Sequence, residues 1–154
     1  MTASSRPVLI IDDDPSVLRL VAYELEAEGL TSAGALTASE GLAQVAELEP
    51  SVVILDLQLP DRPGLEVLAE LAAQRPSLPV VVLTGHGEVD AAVACMRSGA
   101  TDFIQKPFDR QRLVTTVSNA RIQSQLQSRV ETLAEELRSR DGLELVVEER
   151  GDPS

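Results

Sequence analysis

Val8-Leu9-Ile10-Ile11-Asp12-Asp13-Asp14-Pro15 joins an unbroken apolar run to three acids and a proline. An apolar run of strand length without alternation is the pattern of a strand buried on both faces, as in a parallel sheet. Asp14-Pro15 reads as an N-cap followed by the proline favoured in a helix's first turn. Leu18, Val21, Ala22 and Leu25 then fall on one helical stripe, which Gly29 stops. A strand that passes into a helix through clustered acids begins a β-α repeat and puts negative charge at the strand's carboxyl end.

Outward from there the alternation continues. Leu30 to Ala33 predicts a short strand. Thr37-Ala38-Ser39-Glu40 has the form of a capping box and opens a helix carrying Leu42, Val45, Ala46 and Leu48, which Pro50 ends. Val52-Val53-Ile54-Leu55 is a second strong strand, ending in Asp56. Pro60, Pro63 and Gly64 mark a loop, and Leu65, Val67, Leu68, Leu71 and Ala72 give the next helix, closed by Pro76. Val80-Val81-Val82-Leu83 leads into Thr84-Gly85-His86-Gly87. A helix with Ala91, Ala92, Val93 and Met96 ends near Gly99. Asp102 to Gln105 is the last strand, before Lys106-Pro107, and Asp109 caps a long final helix. Five strands alternating with five helices predict an α/β fold: a parallel sheet, right-handed crossovers and helices on both faces. The expected strand order is the flavodoxin-like 2-1-3-4-5.

Composition narrows the function. The 154 residues carry 13 basic and 25 acidic side chains, a formal charge of −12. Such a chain repels phosphate backbones, so this segment is not expected to bind nucleic acid directly. Aromatic residues make up 2% and Trp is absent, which leaves no platform for stacking bases. One Cys and one His cannot form a disulfide or a Cys/His zinc site. No apolar run approaches the ~20 residues of a membrane span, and Met1 is followed by polar residues. A cytoplasmic domain without membrane contact is expected. Lys106 is the only lysine; the other 12 basic residues are Arg.

In open parallel sheets, ligands bind beyond the carboxyl ends of the strands, where strand order reverses. Order 2-1-3-4-5 makes the first and third strands neighbours about 4.8 Å apart, so Asp12, Asp13 and Asp56 converge there. Thr84 and Lys106 arrive from the fourth and fifth strands. Carboxylates this close repel unless a cation lies among them. Oxygen ligands without His or Cys favour Mg²⁺, which keeps waters and suits an adjoining phosphate. Lys106 is a compact charge for one phosphoryl oxygen, and Thr84 offers a hydroxyl to another. Taken singly, these residues read as helix caps and solvated charge.

Together they resemble the receiver domain of two-component response regulators. The resemblance rests on Ile10-Ile11-Asp12-Asp13-Asp14-Pro15, Leu55-Asp56-Leu57-Gln58-Leu59-Pro60-Asp61 with Gly64, Leu83-Thr84-Gly85-His86-Gly87, and Asp102-Phe103-Ile104-Gln105-Lys106-Pro107-Phe108. It spans about residues 6–120 and is nearest to receivers of transcriptional activators, either enhancer-binding with an AAA+ ATPase or carrying a helix-turn-helix. It implies a phosphoacceptor switch rather than an enzyme. Asp56 would accept a phosphoryl group from a sensor histidine kinase, and Asp12, Asp13, Asp56 and the backbone carbonyl of Gln58 would hold Mg²⁺. Thr84 and Lys106 would bind the phosphoryl group, with Thr84 and Phe103 forming the switch. The Gln58 and His86 side chains would tune dephosphorylation, and the Lys106-Pro107 peptide would be cis. The alternative is a stand-alone or degenerate receiver acting as an interaction module.

The resemblance divides the chain into a receiver (1–120), a linker helix (121–141) and a tail (142–154). Leu126, Val130, Leu133 and Leu137 form a heptad seam under two heptads long. It reads either as a helix docked on its own domain or as a short coiled coil. A homodimer through the face between the fourth and fifth helices, the C-terminal helix, or both is expected. Asp141-Gly142 is expected to stop the helix, leaving 142–154 disordered or the start of an output region. No Walker A motif or basic recognition helix is present in the sequence, so a truncated regulator or a lone receiver is expected.

Overall fold

The computed structural model describes the backbone of residues 6–85 and 89–151, and their side chains except those of 128 and 140–151. Five strands, β1 (Val8–Ile11), β2 (Ser32–Ala35), β3 (Val52–Asp56), β4 (Val80–Thr84) and β5 (Asp102–Gln105), alternate with five helices. These are α1 (Pro15–Glu26), α2 (Ala38–Leu48), α3 (Gly64–Gln74), α4 (Val89–Arg97) and α5 (Arg110–Gly151). The sheet is parallel throughout, in the expected order β2-β1-β3-β4-β5.

The apolar strands divide their side chains between two cores. Leu9, Ile11, Val53, Leu55 and Val82 face α2, α3 and α4 through Val45, Val67, Leu68, Leu71 and Cys95. Val8, Ile10, Ile54, Val81 and Ile104 face α1 and α5 through Val21, Leu25, Leu113 and Val117. Burial on both faces explains why these strands are continuously apolar.

The caps follow the sequence closely. Asp14 Oδ1 accepts the Ser16 N–H at 2.9 Å, with Pro15 opening α1. Thr37 Oγ1 accepts the Glu40 N–H at 3.1 Å, while Glu40 reaches back to the Leu36 N–H at 2.8 Å, one residue beyond the usual capping-box partner.

Three local expectations are corrected. β2 begins at Ser32 rather than Leu30, because the Leu30 N–H closes α1 on the Leu25 carbonyl at 3.0 Å and its side chain packs under that helix. In α4 the buried positions are Ala92 and Cys95, whereas Val93 and Met96 are 45% and 44% exposed. The final helix passes Asp141-Gly142 and continues to Gly151. Leu and Glu make up five of the eight residues 143–150, and an interior Gly costs only about 1 kcal/mol in a helix already propagating. Residues 152–154 lie outside the described part. Among the described residues, no helix is long and apolar enough to cross a membrane.

Candidate functional site

Sheet register places the acids. Ile11 pairs with Leu55, so Asp12 and Asp56, one step further along each strand, become neighbours at the carboxyl edge. Asp12 is fully buried, Asp56 nearly so and Asp13 exposed, yet carboxylate oxygens of all three lie within 4.8 Å of one another. Lys106, following β5, enters from the other side. Its Nζ donates to Asp12 Oδ2 at 3.2 Å and to Asp56 Oδ2 at 3.3 Å. The Lys106 N–H bonds the Thr84 carbonyl at 2.8 Å, and the Lys106-Pro107 peptide is cis.

The remaining carboxylate oxygens are held by backbone. Asp12 Oδ1 accepts the Asp14 N–H at 2.9 Å, and Asp56 Oδ1 accepts the Gln58 N–H at 3.1 Å. Burial pushes the Asp12 carboxyl above its ordinary range; the Asp14 N–H opposes that, Asp56 adds to it, and Lys106 counteracts it. Burial alone would lower the Lys106 ammonium, but Asp56 and Asp12 outweigh it and hold its pKa above the usual value. Three carboxylates against one ammonium leave two negative charges uncompensated.

The donor set therefore suits a hard divalent cation. It is made of oxygen atoms, it is already charge-imbalanced, and one acid, Asp13, stays open to water. Gln58 is exposed, and its backbone bridges to Pro63 across the β3–α3 loop. Thr84 is buried beside Gln105 at the end of β4. Thr84 and Phe103 both line an apolar cavity of about 450 Å³, walled also by Val89, Val93 and Met96. Phe103 is partly buried against the core, and its carbonyl accepts from Arg112 Nη2 at 3.1 Å. His86 lies outside the described residues.

Two residues quoted in the sequence motif, Asp61 and Gly64, take roles that the motif did not reveal. Asp61 clamps the start of α2, with Oδ1 and Oδ2 accepting the Ala38 and Ser39 N–H groups, each at 2.9 Å. These bonds hold its carboxyl below the ordinary range. The contact joins residues 23 positions apart, and only the tertiary fold reveals it. Gly64 starts α3 so close to the loop that an added Cβ would stand 2.8 Å from the Asp56 carbonyl oxygen. The cavity wall formed by Val93 and Met96 was legible as apolar, but not as exposed.

Known proteins share this fold. A family profile described as the response regulator receiver domain matches residues 8–118. The nitrogen assimilation regulatory protein NtrX of Azorhizobium caulinodans is 41% identical over 115 residues, covering 73% of this chain and 25% of that protein. The transcriptional regulatory protein FixJ of the same organism is 37% identical over 136 residues, covering 88% of this chain and 64% of FixJ. The chain thus spans about a quarter of the first relative's length and under two thirds of the second's. The crystal structure of the NtrX receiver domain from Brucella abortus superposes with a TM-score of 0.71 at 39% identity, over 73% of this chain and 96% of that one. A CheY-like receiver domain protein from Methanospirillum hungatei gives a TM-score of 0.75 at 29% identity, over 80% and 99%. With its acids, threonine and lysine at the carboxyl edge of a 2-1-3-4-5 sheet, the chain belongs to the response regulator receiver domain family.

Proposed function

We propose that this chain is a phosphoacceptor switch: Asp56 takes a phosphoryl group from the phosphohistidine of a sensor histidine kinase, and the change regulates transcription through altered pairing or effector control. The observation that carries this reading is the Lys106 ammonium bridging Asp12 and Asp56 beside the open carboxylate of Asp13. Asp12, Asp13, Asp56 and the Gln58 carbonyl are the residues that would hold Mg²⁺. When bound, Mg²⁺ would neutralise charge on the transferring group and on the acids around it.

Asp56 Oδ attacks phosphorus in line. The P–O bond forms as the P–N bond breaks, and the electron pair stays with the imidazole, which takes up a proton. Lys106 follows the developing charge, and the Thr84 hydroxyl donates to a phosphoryl oxygen. Asp56 exchanges one negative charge for about two on the acyl phosphate. Thr84 moves toward it, and Phe103 shifts within the apolar cavity that both residues line. That shift biases a two-state equilibrium at the face between α4 and α5. Gln58 stands two residues beyond Asp56, at the rim where water must approach to hydrolyse the adduct; His86, two residues beyond Thr84 in the sequence, is the second residue that would tune this hydrolysis. The domain promotes its own phosphorylation and hydrolysis but turns over no diffusible substrate. The same reading divides the chain into a receiver to about residue 120 and a helical extension that pairs protomers, and it places both in the cytoplasm.

Incubation with Mg²⁺ and a small phosphodonor tests this by intact mass. One acid-labile phosphoryl group per chain, not formed when Mg²⁺ is chelated before the donor is added, is the expected result. Donor turnover without an adduct would instead indicate a phosphatase, and no reaction would indicate a degenerate receiver serving only as an interaction module.

A further inference from the structure

Past the body of the receiver, α5 carries an apolar face that nothing among the described residues covers. The last tie to the body among the described residues is Ser124 Oγ to the Ser77 carbonyl at 3.0 Å. Beyond it Leu126, Val130, Leu133 and Leu137 are each about half exposed. Their spacing puts Leu126 and Leu133 at heptad d, and Val130 and Leu137 at a. An apolar seam of this kind in water calls for a partner helix.

The flanking charges identify the partner and its direction. Arg129 and Glu136 occupy successive g positions, and Gln127 and Ala134 the e positions. Both Arg129 and Glu136 are exposed, and among the described residues neither has an ion-pair partner within its own chain. In a parallel pair, g faces e of the next heptad. Arg129 would then meet Ala134, and Glu136 would meet the position that the sequence fills with Asp141, a like-charge contact. In an antiparallel pair, g faces g, so Arg129 meets Glu136 of the second copy twice, by symmetry. The seam then forms mixed layers, Leu126 against Leu137 and Val130 against Leu133. The antiparallel arrangement also sets the two receiver bodies, on chains that each carry −12, at opposite ends of the seam.

Resting on the reading that α5 pairs protomers, we infer that its occupant is a second copy of this chain bound antiparallel through residues 126–137. The seam is short, so the dimer is weak and the charge pairs decide its orientation.

Disulfide trapping in the full 154-residue chain tests the direction. Cys95 is buried and stays in place. Leu126→Cys and Leu137→Cys chains are oxidised separately and mixed; cross-linking that requires the mixture is expected. Self-cross-linking of each variant alone would leave a dimer and overturn only its direction. A monomer by sedimentation at millimolar concentration would overturn the pairing reading and this inference together. Charge reversal is an independent check that needs no cysteine. Glu136→Arg should weaken dimerisation about five- to tenfold, two attractive pairs having become repulsive. Arg129→Glu added to it should restore the native constant. A Glu136→Arg dimer tighter than the native one would overturn the inference, because only the parallel pair gains from that change.

Discussion

Lys106 is where the chemistry of single residues is most constrained. It compensates two buried carboxylates at once, at 3.2 and 3.3 Å. A guanidinium in its place would have to fit a planar fork into a gap that suits a compact ammonium, which accounts for the chain's one lysine among its arginines. Lys106→Ala should destabilise the metal-free protein by about 1–3 kcal/mol, because breaking a largely buried pair strands its acids and the lysine's partial exposure softens the cost. The same variant should show a larger rise in melting temperature with Mg²⁺ than the native chain, which thermal unfolding across a Mg²⁺ series would measure. At the rim, Gln58 can hydrogen-bond a water but cannot take its proton. Gln58→Ala should therefore change the decay rate of the phosphorylated form several-fold without preventing its formation. A tenfold change is only about 1.4 kcal/mol of barrier, and decay of labelled phosphate from purified adduct reads it directly.

At the scale of elements, local rules read from the sequence were sound where the determinant was local. The buried runs of β1, β3 and β4, the Asp14-Pro15 and Thr37 caps, and the stop at Gly29 each depend on neighbours a few residues away. Asp12, Asp13, Asp56, Thr84 and Lys106 were legible as a group because strand ends in a parallel sheet share one edge. What stayed hidden was set by contacts across the fold: Leu30 given to the cap of α1, Val93 and Met96 turned outward, and Asp61 clamping α2. The Asp61 clamp has a consequence in acid. Its folded carboxyl titrates below the ordinary value of about 3.9. Its contribution is therefore complete above that value and is lost as pH falls through the lower, folded one. Asp61→Asn should lower the urea midpoint at pH 7 and narrow the gap between the midpoints at pH 7 and pH 3. Denaturant titrations of both proteins at the two pH values provide the comparison.

For the whole molecule, the sheet delivers five chemically useful side chains to one edge, and α5 extends from the domain as a helix of 42 residues. The exposed seam on that helix favours self-association over docking on its own domain, so a chain ending near residue 122 should sediment as a monomer under conditions where the 154-residue chain dimerises. Every functional element of the account depends on one carboxylate being the acceptor. Phosphorylated protein, prepared with Mg²⁺ and a small phosphodonor, can be reduced with borohydride, which converts an aspartyl phosphate to homoserine, and then mapped by peptide mass spectrometry. The account predicts homoserine at position 56 alone and no trapped product from Asp56→Asn. Homoserine at Asp12 or Asp13 in the native chain, or an undiminished yield from Asp56→Asn, would contradict it.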